Sequence, residues 1–226
     1  MSIWTRIMDA LGALTSGEGL GAVFDRLTTP PERSVAFTIA VIALGAKMAK
    51  ADGQVTRDEV AAFREVFHIA PEDEADAARV FNLARQDVAG FDAYAGKIRA
   101  MFAQDSETLC DVMEGLFHIA VADGHYHAAE DAFLSHVAKV FGLPEARFRS
   151  LRSRFVPDDP HDPYDVLGVS PEMPLPEIRA AWKRLARETH PDAMIARGLP
   201  AEAVHLAERR MVDINRAWAE IEAARG

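Results

Sequence analysis

Hydrophobic residues recur every three or four positions along most of the chain, and no stretch shows a sustained two-residue alternation. Such spacing is typical of amphipathic helices, whereas alternation indicates half-buried strands. The first stretch, residues 2–14, has apolar side chains on one face: Ile3, Trp4, Ile7, Met8, Leu11 and Leu14. The sequence therefore predicts an all-α fold that opens with a short amphipathic helix.

The long central stretch has the same periodicity and carries several helix-start signals. Ser34 is a candidate N-cap for a helix through Lys50, and residues 56–59 form a capping box that opens the next helix. Pro71 suits the first turn of a third helix, with acidic side chains near its positive dipole end. Further helices are predicted at about 91–103, 106–121, 127–141 and 144–155.

Proline-rich segments divide the chain. Thr28 to Pro31 is predicted to be an exposed spacer, and Val156 to Pro163 holds three prolines and three aspartates, which disfavour both helix and strand. Four regions follow from these boundaries. They are an amphipathic helix with its linker at 1–33, a helical domain at 34–155, a linker at 156–161 and a second helical domain at 162–226.

The first helical domain contains an internal repeat. Ala51-Asp52-Gly53 with Glu59 recurs as Ala122-Asp123-Gly124 with Glu130, at an offset of 71 residues. Each copy follows one apolar helix and precedes another. The repeat therefore predicts two helix-turn-helix pairs in a pseudo-symmetric bundle.

The four repeated acids, Asp52, Glu59, Asp123 and Glu130, have two interpretations. Brought together by the pseudo-symmetry, their carboxylates would suit a hard cation such as Ca²⁺ or Mg²⁺. Neither copy has the ligand run of an EF-hand, and acids at an Asp-Gly turn before a helix commonly accept bonds from backbone amides. The residues favour this second interpretation and leave the first open. No other cofactor is predicted.

The repeat and the helix spacing resemble the TerB-like domain, an all-helical module named for tellurite-resistance proteins, over about residues 34–150. In that family the repeated acidic residues have been associated with metal binding, so the resemblance supports the cation hypothesis. An alternative function is thereby open: a metal-responsive stress protein that acts mainly through this domain.

The second helical domain shows two apolar stripes on either side of His190-Pro191-Asp192. Because proline lacks an amide donor and biases the preceding residue away from the α region, the tripeptide predicts a short polar loop. The loop joins a helix from Leu175 to Thr189 to one from Pro200 to Ala224. The stripes comprise Ile178, Ala181, Trp182, Leu185 and Ala186 on the first helix and Val204, Ala207, Met211, Ile214, Ala217, Trp218 and Ile221 on the second. The outer face of the first helix is basic, with Arg179, Lys183, Arg184 and Arg187.

Four segments of residues 162–226 resemble a J-domain. They are Asp162 to Val169, Ile178 to Ala186, the tripeptide itself and Ile214 to Trp218. Gly198-Leu199-Pro200, together with the order of the two domains, further resembles DjlA-type co-chaperones. The chain departs from the pattern at Trp182 and Trp218, where tyrosine is usual. Ala193-Met194 replaces a basic-polar pair, which makes the loop less positive.

The J-domain resemblance implies a co-chaperone that stimulates ATP hydrolysis by a DnaK-type chaperone and is not itself an enzyme. The basic residues Arg179, Lys183, Arg184 and Arg187 would meet an acidic surface of that partner. Asp192 would accept a bond from a partner arginine, His190 would position the loop, and Pro191 would keep it rigid. The TerB-like domain would then supply localisation, dimerisation or the choice of client protein.

Charge and composition narrow the possible functions and locations of the protein. A net charge of −10 argues against a general nucleic-acid binder, and the single cysteine, Cys110, argues against a disulfide framework and favours the cytoplasm. The longest apolar run, Val35 to Ala46, is shorter than the roughly 20 residues that span a bilayer. Residues 2–14 carry one basic side chain, so docking on the protein's own body or on a second copy is favoured. We expect at most peripheral contact with the inner face of the membrane.

Overall fold

The computed structural model describes residues 3–12, 30–51, 64, 66–67, 69–86, 90–102, 105–156 and 162–225. These residues form helices joined by short turns, with no strand among them, so the all-α prediction is confirmed. The helices are α1 (Ile3–Gly12), α2 (Pro30–Ala51), α3 (Glu74–Gln86, after a 3-10 turn at Pro71–Asp73), α4 (Phe91–Met101), α5 (Ser106–Ala120), α6 (Ala128–Phe141), α7 (Glu145–Phe155), α8 (Pro163–Leu167), α9 (Leu175–Glu188), α10 (Pro191–Arg197) and α11 (Val204–Arg225, after a 3-10 turn at Ala201–Ala203).

Helix α2 is the centre of the first domain. Its side chains from Val35 to Ala46 are almost all inaccessible to solvent, and it packs against α1, α3, α4, α5 and α6. A helix that is apolar on all sides is expected to be buried in this way. None of the described helices has both the length and the hydropathy of a membrane-spanning segment.

The start of α2 differs from the prediction. The helix begins at Pro30, not after Ser34, because proline is well tolerated in the first turn, where its missing amide has no partner to lose. Ser34 lies inside the helix, and its carbonyl accepts a hydrogen bond from the Thr38 hydroxyl at 3.0 Å. The Pro30-Pro31 pair is therefore part of a helix and not of a spacer. The capping box at residues 56–59 lies outside the described residues.

Helix α1 docks on the protein's own body. Ile3, Trp4 and Ile7 are buried in the hydrophobic core, and the Trp4 ring meets Phe67 edge to face with a centroid separation of 6.1 Å. The sequence leaves open whether this helix docks on the protein's own body or on a second copy, and the structure shows the first.

The second domain is built on α9 and α11, which pack over a small core along the predicted stripe of α9 and the part of the α11 stripe from Met211 to Ile221. The two tryptophans that replace tyrosine stack on each other, with centroids 5.3 Å apart and planes 13° from parallel. The Trp182 indole also donates to the side-chain oxygen of Asn215 at 2.9 Å. Both substitutions are thus accommodated by an aromatic pair at the helix contact.

The two domains share one hydrophobic cluster. Buried side chains of α10 and of the start of α11 join the core that surrounds α2 and α5. The contributing residues are Met194, Leu199, Ala203, Leu206 and Ala207. The second domain is therefore seated directly on the first, an arrangement that the sequence did not predict.

Candidate functional site

The tripeptide His190-Pro191-Asp192 begins a helix. Helix α9 ends at Glu188, as the proline requires, but Pro191 occupies the first position of the seven-residue helix α10. His190 is its N-cap: it has extended backbone, and its Nδ1 accepts a hydrogen bond from the Asp192 amide at 3.3 Å. The predicted loop is wrong in this respect, because the fixed φ and the missing amide that end one helix also suit the start of the next.

The polar groups of the tripeptide point to solvent. The side chains of His190 and Asp192 are 59% and 90% exposed. One carboxylate oxygen of Asp192 lies 3.6 Å from His190 Nδ1, which is too long for a strong hydrogen bond. The arrangement presents a carboxylate beside an imidazole on an outward surface, without a surrounding pocket.

The predicted basic residues lie next to this surface. Arg179, Lys183, Arg184 and Arg187 are all exposed on α9. Arg184 is 4.0 Å from Glu188, and the Arg187 Nε donates to the Lys183 carbonyl at 3.1 Å. Four cations on one short helix can attract an acidic surface over a distance and fix its orientation.

A second set of charges, which the sequence pattern does not predict, lies where helices of the two domains meet. Asp111 and Glu114 of α5 have no exposed side-chain surface and face three arginines from other helices. We call Asp111, Glu114, Arg154, Arg197 and Arg210 the buried charge cluster. Two acids three positions apart within the apolar run of this helix, from Leu109 to Phe117, are the available signal, since buried charges are rare unless they are paired.

The contacts of this buried charge cluster are short. Arg210 reaches Asp111 at 2.7 Å and also bonds Glu114. Arg197 binds the second oxygen of Asp111 at 3.0 Å, and Arg154 binds Glu114 at 2.6 Å. Asp213, 3.3 Å from Arg154, supplies a third carboxylate for the three guanidinium groups.

The pKa values of the two buried carboxyl groups are shifted in opposite directions. Burial raises the pKa of Asp111, and the attraction of Arg210 and Arg197 does not fully offset it. Burial also acts on Glu114, but the attraction and hydrogen bonds of Arg154 and Arg210 outweigh it, so the pKa of Glu114 is lowered. Glu114 is therefore held firmly in its charged form.

The candidate cation ligands are engaged locally where the structure describes them. Asp123 accepts a bond from the His125 amide at 2.9 Å, and the buried Glu130 accepts one from the His127 amide at 2.8 Å. These are the turn and helix-start contacts of the non-metal interpretation. Asp52 and Glu59 lie outside the described residues, within which no group of three or more metal-ligating side chains occurs. Cation binding stays a prediction.

Comparison with known protein families assigns both domains. The family model of tellurite resistance protein TerB matches residues 38–153, and the DnaJ domain model matches residues 162–223. The first match covers just over half of the chain, so the protein belongs to the TerB family and carries a C-terminal DnaJ domain. A TerB domain followed by a DnaJ domain defines a J-domain co-chaperone.

Similar curated proteins share this whole arrangement. Co-chaperone protein DjlA of Photobacterium profundum is 26% identical over 93% of this chain and 85% of its own length. Co-chaperone protein DjlA of Shewanella oneidensis is 25% identical, covering 92% and 86%, and that of Coxiella burnetii 27%, covering 79% and 73%. No solved structure matches. The DjlA-like character inferred from the sequence is thus confirmed, and J-domain co-chaperones are generally not enzymes themselves.

Proposed function

We propose that this co-chaperone stimulates ATP hydrolysis by a DnaK-type chaperone through one surface, formed by His190, Pro191, Asp192 and the basic residues of α9. The observation that supports the proposal is the 90% exposure of Asp192 beside four exposed cations. Such a surface suits a partner that offers an acidic patch and an arginine, because a carboxylate and a guanidinium form a strong charge-assisted bond. The hydrolysis itself takes place on the partner.

The TerB domain serves localisation, dimerisation or client choice in this proposal, within the cytoplasm and at most at the inner face of the membrane. Helix α1 bears on this assignment. Its apolar face is buried against α2 and α3, so dimerisation or membrane contact through Ile3, Trp4 and Ile7 requires α1 to leave the core.

Steady-state ATP turnover by the cognate DnaK-type chaperone tests the proposal. Adding the wild-type chain is expected to increase turnover, and His190→Gln is expected to abolish the increase, since it alters the N-cap of α10. His136→Gln is the matched control, because His136 is a half-exposed histidine of α6 in the other domain. Unchanged turnover with the wild type, or full stimulation by His190→Gln, would refute the proposal.

A further inference from the structure

Arg197 joins α9 and α10, the helix before the tripeptide and the helix that begins in it, to the TerB domain. It is the last residue of α10, and its Nη1 donates to the carbonyl of Glu188, the last residue of α9, at 2.8 Å. Its Nη2 donates to Asp111 at 3.0 Å. One guanidinium group thus connects the end of α9, the end of α10 and a buried carboxylate of α5.

Helix α10 depends on such contacts for its orientation. Seven residues are too few to form a stable helix alone, so the position of α10 must come from packing. Met194 is fully buried in the cluster shared with the TerB domain, and Arg197 lies one turn further on the same side. Asp192 and Ile195 are exposed. The side of α10 that contacts the TerB domain is therefore distinct from the side that carries the carboxylate.

Asp111 is well suited to anchor this arrangement. Its side chain is completely buried, and its other oxygen is bonded by Arg210 of α11. It therefore holds α10 and α11 together through two charged hydrogen bonds in a region that excludes water. Bonds of this kind fix geometry closely, because moving either arginine leaves one oxygen of a buried carboxylate without its partner.

We propose that the TerB domain positions the tripeptide: Asp111, acting through Arg197, holds α10 in the orientation that the DnaK-type chaperone binds. This inference rests on the function proposed above and goes beyond it, because it gives the TerB domain a part in the activation step. If the contact opens, fewer molecules present the tripeptide correctly. The half-saturating concentration then rises in inverse proportion to that fraction, while the maximal stimulation at saturation is retained.

The test uses Arg197→Met in the full-length chain. This change removes both guanidinium bonds. Two carboxylates and two arginines of the buried charge cluster remain, so the charges of the cluster stay balanced. Arg197→Lys is the conservative variant and can retain one of the two bonds. Arg225→Met is the matched control, because Arg225 donates to the carbonyls of Pro171 and Met173 within the DnaJ domain, at the end away from the tripeptide.

Arg197→Met is expected to raise the half-saturating concentration in the ATP turnover assay about tenfold, because loss of both charged hydrogen bonds should lower the fraction of molecules in the binding orientation to about a tenth. Arg197→Lys is expected to be intermediate, and Arg225→Met to match the wild type. Maximal stimulation should be the same for all four proteins. Partial unfolding of Arg197→Met would also raise the half-saturating concentration, so circular dichroism must first show that this variant keeps the helix content of the wild type.

Cys110 gives an independent measure of the contact. It is the only cysteine of the chain, is 5% exposed, and lines a small cavity together with Leu185 and Thr189 of the other domain. Burial raises the pKa of its thiol to about 12, so the closed protein should react slowly with a thiol reagent at pH 8. Faster labelling of Arg197→Met, but not of Arg225→Met, is expected.

Two outcomes would overturn the inference. If Cys110 labels faster while the half-saturating concentration is unchanged, the tripeptide does not need the TerB domain. If labelling and half-saturation both stay at wild-type values, Arg197 does not hold the contact. Absence of stimulation by the wild type would refute the proposed function instead. If Arg197→Met does not fold, as judged by circular dichroism, the same comparison is made with Arg197→Lys.

Discussion

The arginines of α9 and those of the buried charge cluster are the same residue type in opposite surroundings. On α9 the guanidinium groups are exposed, so their contacts add little to stability, but they act on distant charges. Arg154 and Arg210 have side chains 5% and 9% exposed and bond carboxylates directly. The first set is suited to recognition of a partner, and the second to fixed geometry inside the molecule.

The largest expected effect follows from removing one buried charge. Glu114→Gln keeps the shape of the side chain but leaves Arg154 and Arg210 short of a carboxylate, which should cost about 3–5 kcal/mol of the free energy of unfolding. Urea denaturation measures this loss of unfolding free energy. Because the pKa of Glu114 is lowered in the folded protein, this stability is present at neutral pH and is lost as the pH falls below the ordinary carboxyl value.

Glu220→Gln is the control for this prediction. Glu220 accepts a bond from Arg216 at 3.0 Å on the surface of α11, and its side chain is 38% exposed. Its loss should cost less than about 1 kcal/mol. Equal losses of unfolding free energy in the two variants would show that a buried ion pair stabilises this protein no more than an exposed one.

The second effect concerns the exposed cations. Lys183→Glu is expected to slow association with the DnaK-type chaperone about tenfold at low salt, because it reverses one charge of the surface that attracts the partner. The difference should shrink as the ionic strength rises, since salt screens exposed charges. Stopped-flow association over a salt series measures it.

Lys139→Glu on α6 is the matched control, being an exposed lysine of the TerB domain. It should leave the association rate near the wild-type value, and neither variant should change the free energy of unfolding by more than about 0.5 kcal/mol. A salt-independent loss of affinity for Lys183→Glu would indicate a direct contact and not long-range attraction.

The same contrast explains what the sequence could predict. The apolar stripes, the exposed cations of α9 and the tripeptide depend on neighbours within a few positions, so periodicity and local chemistry reveal them. The partners of Asp111 lie 86 and 99 residues away, and no local pattern specifies such a pairing. The seating of α10 on the TerB domain was missed for the same reason.

Two helix boundaries differ from the prediction because the same residue type suits more than one position in a helix. Ser34 is a good N-cap residue, yet Pro30 suits the first turn equally well, and the helix begins there. At the tripeptide, the sequence pattern predicts only that the proline ends a helix. The structure uses it to end α9 and to begin α10 within three residues.

The smallest expected effect tests the acidic repeat, where the buried carboxylate of Glu130 accepts a hydrogen bond from the His127 backbone amide. Glu130→Gln can still accept the bond from the His127 amide, so its stability should stay within about 0.5 kcal/mol of the wild type, whereas Glu130→Ala should lose about 1 kcal/mol or more. Thermal unfolding with and without Ca²⁺ or Mg²⁺ measures both. A cation-dependent stabilisation of the wild type that disappears in Glu130→Gln would instead establish a metal site, because the amide retains the helix cap but loses the charge that a hard cation needs.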